Sequence, residues 1–102
     1  MSGGGDPRIE AIAATYRLLG DPTRLRVLLA CMDGPIAVGD IAARVGASQP
    51  LVSHHLWLLR GARLVRGERH QRHVLYATAD EHITHMLTDM LEHAAEDQAP
   101  PL

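Results

Sequence analysis

The chain has 102 residues, twelve acidic and ten basic, with a formal net charge of −2 and 46% apolar side chains. Its one cysteine, Cys31, excludes an internal disulfide and a CxxC metal site and fits a reducing cytoplasm. No apolar run approaches ~18 residues and no charged-then-apolar leader appears, so neither a membrane span nor secretion is expected.

Residues 1–8 read as a disordered leader, Gly-rich through Gly5. Ile9, Ile12, Ala13, Tyr16 and Leu19 recur at helical spacing up to Gly20 and predict a first helix. Asp21 as N-cap and Pro22 as first helical residue open a second helix, running to about Met32 before Asp33-Gly34-Pro35 stops it. Val38, Ile41, Ala42 and Val45 define a short third helix ended by Gly46. Ser48 caps a fourth, with Pro50 in its first turn. Val52, Leu56 and Leu59 form its buried stripe, and Gln49, Ser53, His54 and Trp57 its outer face.

Leu64–Glu68 and His73–Thr78 are strand segments joined by the polar turn Arg69-His70-Gln71-Arg72. From about Asp80 a final helix runs to Asp97, with Ile83, Met86, Leu87, Met90 and Ala94 as its apolar stripe. Residues 98–102 form a flexible tail, leaving 9–97 as one domain. There is no Phe, so its small core must be built from Leu, Val, Ile, Ala and Met, and a core of this size gains stability from a partner subunit.

The charge is unevenly placed. Every basic residue is Arg, and Arg44, Arg60, Arg63, Arg66, Arg69 and Arg72 fall in the middle of the chain, residues 40–72, against only Asp40 and Glu68. After Arg72 come Asp80, Glu81, Asp89, Glu92, Glu96 and Asp97 and no further cation. A phosphate-facing surface and a cation-binding surface would share one domain in this way.

A short helix, a tight turn at Gly46-Ala47 and a second helix with small polar residues near its start form a helix-turn-helix signature. The second helix would enter a major groove N-terminus first, so Ser48, Gln49, Ser53 and His54 are placed to meet base edges and phosphates. The hairpin with Arg66, Arg69, His70 and Arg72 would lie over adjacent backbone or minor groove as a wing. The plainer alternative is an ordinary helix pair with a surface hairpin. No nucleophile turn or catalytic arrangement stands out, so an enzyme is not expected.

The last helix carries Asp80, His82, His93 and Glu96. His82 and His93 lie eleven residues apart, on one stripe within ~20° but about 16 Å apart along the axis. They cannot share one ion within one helix, since metal–ligand distances are ~2 Å. Two antiparallel copies across a two-fold axis would bring Asp80 and His82 of one against His93 and Glu96 of the other. His85, one turn after His82, is an additional candidate ligand. The alternative is an acidic, solvated helix face with incidental histidines.

Leu19-Gly20-Asp21-Pro22-Thr23-Arg24-Leu25-Arg26 resembles the second-helix opening of the ArsR/SmtB family of metal-sensing repressors. Ser48-Gln49-Pro50-Leu51-Val52-Ser53-His54-His55-Leu56 with Leu59 resembles its recognition helix, and Leu64-Val65 through Leu75-Tyr76 its wing. The resemblance runs from about Tyr16 to Glu96. It implies a mainly α winged helix-turn-helix with a small β-hairpin, dimeric through its first and last helices, that binds double-stranded operator DNA and releases it when metal binds. It also implies that Asp80, His82, His93 and Glu96 form the interhelical metal site. Zn(II) suits the set best, with Ni(II) or Co(II) accommodated by His85. The resemblance further implies a hydrogen bond from the non-ligating ring N–H of His93 to the backbone carbonyl of Arg63. Gln71 at the wing tip, where a Gly is common, and Pro50-Leu51 depart from the pattern. A regulator answering another ligand or a partner protein, and a metal-binding protein without DNA function, are the competing readings.

Overall fold

The computed structural model describes residues 5–96. The expected disordered ends therefore fall largely outside the described residues. The first helix, α1 (Pro7–Leu18), starts two residues before Ile9, because Asp6 caps it by accepting from the Arg8 amide and Pro7 suits its first turn. Asp21 caps α2 (Pro22–Cys31) in the same way, through the Thr23 amide.

After Gly34-Pro35 comes a short strand that the sequence pattern does not reveal, β1 (Ile36–Ala37), leading into α3 (Val38–Val45). Gly46 takes the left-handed conformation, φ 71°, that a helix C-terminus favours, and its N–H closes on the Ala42 carbonyl. Ser48 then caps α4 (Gln49–Gly61), its hydroxyl oxygen accepting from the Leu51 amide at 3.3 Å.

The wing is β2 (Val65–His70) and β3 (His73–Thr78), and α5 (Glu81–Ala95) closes the chain, capped by Asp80. All strands pair antiparallel in the order β1-β3-β2, with Ile36 opposite Tyr76 and His70 opposite His73. The expected hairpin is thus a three-stranded sheet. The turn is also tighter than expected: Arg69 and His70 are strand residues, and only Gln71 and Arg72 link the strands. Gln71 adopts φ 57°, a conformation more easily held by glycine.

The core is where aliphatic stripes of α2, α3 and α4 meet: Val27, Leu28, Ile41, Val52, Leu56 and Leu59, closed by Leu64, Val65 and Leu87. Neither terminal helix belongs fully to it. α1 buries no residue, and α5 buries only Leu87. Ile9, Ile12 and Tyr16 on α1, and Met90 and Leu91 on α5, are each about half exposed or more. An entirely apolar groove runs between α2 and α5, lined by Leu25, Leu29, Leu87, Met90, Leu91 and Ala94. The protruding helices make the Cα radius of gyration 15.7 Å, against about 13 Å for a compact domain of this length. Among the described residues no helix is long and apolar enough to cross a membrane.

Candidate nucleic-acid interface and metal half-sites

Helix α4 presents its N-terminal turn to solvent. Ser48, Gln49, Ser53 and His54 are all exposed, opposite the buried Val52, Leu56 and Leu59. Capping engages the Ser48 lone pairs but leaves its proton available to an acceptor. The Gln49 amide lies over Gly39 of α3, where an added Cβ would stand 3.2 Å from its Nε2. The absence of a side chain at position 39 therefore lets α3 and the start of α4 close on each other.

Residue 55 is a buried structural position that the sequence pattern missed. His55 is 4% exposed, buried beside its exposed neighbour His54. Arg24 Nε donates to His55 Nδ1 at 3.2 Å, and Arg24 Nη1 donates to the Leu18 carbonyl at 2.9 Å. The same guanidinium pairs with Asp21 at 3.6 Å. One arginine thus ties the end of α1 and the start of α2 to the middle of α4. Burial first, then the Arg24 charge, holds the His55 pKa below its ordinary 6.5, so the imidazole stays a neutral acceptor.

On the wing Arg66, Arg69, His70 and Arg72 are all exposed. They are not equivalent. Arg66, Glu68 and His70 alternate along β2 and share one face. Glu68 accepts from Arg66 at 2.9 Å and lies 3.3 Å from His70 Nε2. These contacts, His70 first, hold the Glu68 carboxyl below its usual range. Arg66 also borders a cleft with Asp80, Glu81, Thr84 and His85, at the root of the wing rather than its tip. Arg69 and Arg72 stand nearer the tip.

At the end of α4, Arg63 adopts φ 63° while its N–H bonds the Arg60 carbonyl and the Leu64 N–H bonds the Leu59 carbonyl. This is a Schellman stop with arginine where glycine is usual. It places the residue 63 peptide directly between α4 and β2.

The two donor pairs of the last helix sit at its opposite ends. Asp80 Oδ1 accepts from the Ile83 amide at 3.1 Å, and His82 is exposed in the first turn. At the other end His93 Nδ1 and Glu96 Oε1 are 3.9 Å apart, both side chains about three-quarters exposed. Among the described residues of one chain, no three His, Cys, Asp or Glu side chains converge as a metal set. His85 shares the cleft of Asp80, whereas His82 does not line it. Cys31 is 1% exposed and burial pushes its thiol up to about 12, far from a ready thiolate.

The chain resembles known proteins over most of its length. Residues 21–66 match the family described as bacterial regulatory protein, arsR family. The HTH-type transcriptional repressor SmtB of Mycobacterium tuberculosis is 37% identical over 89 residues, covering 87% of this chain and 66% of that protein. This chain therefore spans just under two thirds of that relative's length. The HTH-type transcriptional regulator CmtR of Mycobacterium bovis is 41% identical over 85 residues, 83% of this chain and 72% of the relative. Among solved structures, the cadmium metal-sensor CMTR of Mycobacterium tuberculosis superposes with a TM-score of 0.70 at 40% identity, covering 88% of this chain and 95% of that one. The matched residues 21–66 span α2, β1, α3, α4 and the start of β2. The chain belongs to the ArsR/SmtB family of bacterial regulatory proteins, which are transcriptional regulators and not enzymes.

Proposed function

We propose that the chain is a metal-responsive transcriptional repressor that binds operator DNA as a homodimer and loses DNA affinity when a divalent ion binds. The observation that carries this reading is the layout of α5. One nitrogen–oxygen donor pair stands at each end of the helix, and its adjoining apolar residues are left exposed. Covering that face, together with the exposed Ile9, Ile12 and Tyr16 of α1, needs a second copy. An antiparallel second α5 would complete each half-site.

The donor chemistry fits a borderline divalent ion. Asp80 and His82 of one copy, with His93 and Glu96 of a second, supply two imidazoles and two carboxylates, a set suited to four-coordinate Zn(II). His85, on the cleft beside Asp80, would extend the set toward the octahedral preference of Ni(II) or Co(II). Cadmium, which the similar CMTR senses, favours thiolates, and the lone, buried Cys31 offers none. A bound ion would supply a fixed cross-link between the two copies of α5.

The chain's own residues do the rest. Ser48, Gln49, Ser53 and His54 meet base edges and nearby phosphates, while Arg69, His70 and Arg72 of the wing meet the backbone, with Arg66 at its root. The Arg63 carbonyl, at the junction of α4 and β2, is the acceptor we assign to the outer ring N–H of His93. That bond would couple α5 to the recognition helix. Metal and DNA then weaken each other by the same factor.

The test is anisotropy of a duplex from the chain's own upstream region, at fixed salt, against Zn(II), Ni(II) and Co(II) separately. Wild-type protein should release the duplex with at least one ion, and His93→Ala should not. A His93→Ala dimer that keeps both metal binding and metal-driven release would sink the coupling route. No shift with any ion would point to a different effector.

A further inference from the structure

The outer face of α4 continues beyond the residues that meet the bases. On the helical wheel Pro50, His54, Trp57 and Gly61 fall opposite the buried stripe. Trp57 is the only tryptophan in the chain and is 70% exposed. A lone exposed apolar side chain is ordinary, but this one borders an open groove between the ends of α1 and α4. Leu18, Leu58 and Ala62 line the groove along with Trp57, and the cation beside them is Arg60. An apolar surface with a single cation matches the alternating chemistry of a DNA strand, apolar deoxyribose beside anionic phosphate.

Reach agrees with chemistry. Trp57 follows Gln49 by eight residues, about 12 Å along the axis, and the major groove is about 12 Å wide. With the first turn of α4 at the base edges, Trp57 and Arg60 are carried to the phosphodiester strand bounding the groove.

We propose that Trp57 and Arg60 hold the sugar–phosphate backbone flanking the operator, an inference that rests on the DNA-binding reading of α4. The indole N–H donates to a phosphate oxygen while the ring lies on the sugar, and the guanidinium pairs with the same or the neighbouring phosphate. Such a contact holds position and carries no sequence information.

Because the chain has one tryptophan, its emission reports this place alone. The experiment titrates full-length protein with an unlabelled duplex from its own upstream region and, in parallel, with a scrambled duplex. Trp57 emission should change, and its quenching by acrylamide should fall, with both. Trp57→Ala should weaken both duplexes about threefold to tenfold, the scale of one net hydrogen bond. Trp57→Phe, which keeps the ring but lacks the donor, should lie between. Arg60→Gln should weaken both alike and lower the salt slope by about 1, with circular dichroism showing each variant folded.

Unchanged emission and acrylamide access in the saturated complex, with Trp57→Ala binding as wild type does, overturns the contact and leaves DNA binding intact. A change in emission that follows protein concentration without DNA, and no further change on adding it, also overturns it, since a second copy would then fill the groove. If wild-type protein retards no such duplex, the DNA-binding reading fails and this contact falls with it.

Discussion

At position 55 helix α4 buries an imidazole, and Arg24 donates to its Nδ1. Protonating that ring would turn the hydrogen bond into a meeting of two cations, with the Asp21 carboxylate opposing that among the described residues and His54 adding to the repulsion. The folded pKa lies below the unfolded value of 6.5, so just below that pH the unfolded chain binds the additional proton. Stability should therefore fall as pH drops through 6.5, and the loss should stop growing below the depressed folded value. A difference curve in urea between wild type and His55→Gln, whose carbonyl accepts from Arg24 without titrating there, isolates this group. A difference that stays flat from pH 7.5 to 5 would sink the argument. The pattern of α4 held a clue, since residue 55 lies three after Val52 and four before Leu59, on the buried stripe. Polarity hid it. The same helix turns Trp57 outward, so the usual hydrophobic ordering fails at both positions, where Arg24 and the groove beside α1 decide instead.

The elements most legible in the sequence were the helices with caps. Asp21-Pro22, Gly46 and Ser48 are local signals, and the structure uses each for the expected purpose. β1 was not legible, because a strand of two residues has no alternation to read and exists only through its pairing with β3. Its entry depends on Gly34, where an added Cβ would run into the Tyr76 carbonyl and stand 3.0 Å from the Cys31 carbonyl. Both obstacles are backbone and cannot swing aside. Gly34→Ala should cost about 1 to 3 kcal/mol by thermal or urea unfolding, and wild-type stability in that variant would refute the close approach. The wing shows a different gap between sequence and structure. Arginines and histidine counted along the chain suggest unopposed charge, yet strand alternation sets Glu68 between Arg66 and His70, and under the proposed function a DNA phosphate would have to compete with it.

For the whole molecule, the donor spacing on α5 and the absence of Phe are legible in the sequence, while the extent to which α1 stands clear of the core is not. Periodicity marks an apolar stripe but is silent on which body covers it, and in α1 the chain's own core does not. The placement of donor pairs at opposite ends of α5 has a consequence at the level of alleles. A chain carrying Asp80→Ser, which keeps the helix cap, and His82→Ala retains only the His93–Glu96 half. A chain carrying His93→Ala and Glu96→Ala retains only the other. Each alone would assemble into dimers without a whole site. A mixed dimer would unite the two surviving halves and leave the two damaged halves together. Isolating that heterodimer through two different affinity tags should recover one ion per dimer and ion-dependent release of DNA. Failure of the mixed dimer to bind more metal than either parent would refute the shared site. Success would mean that two inactive genes, expressed in one cell, rescue each other.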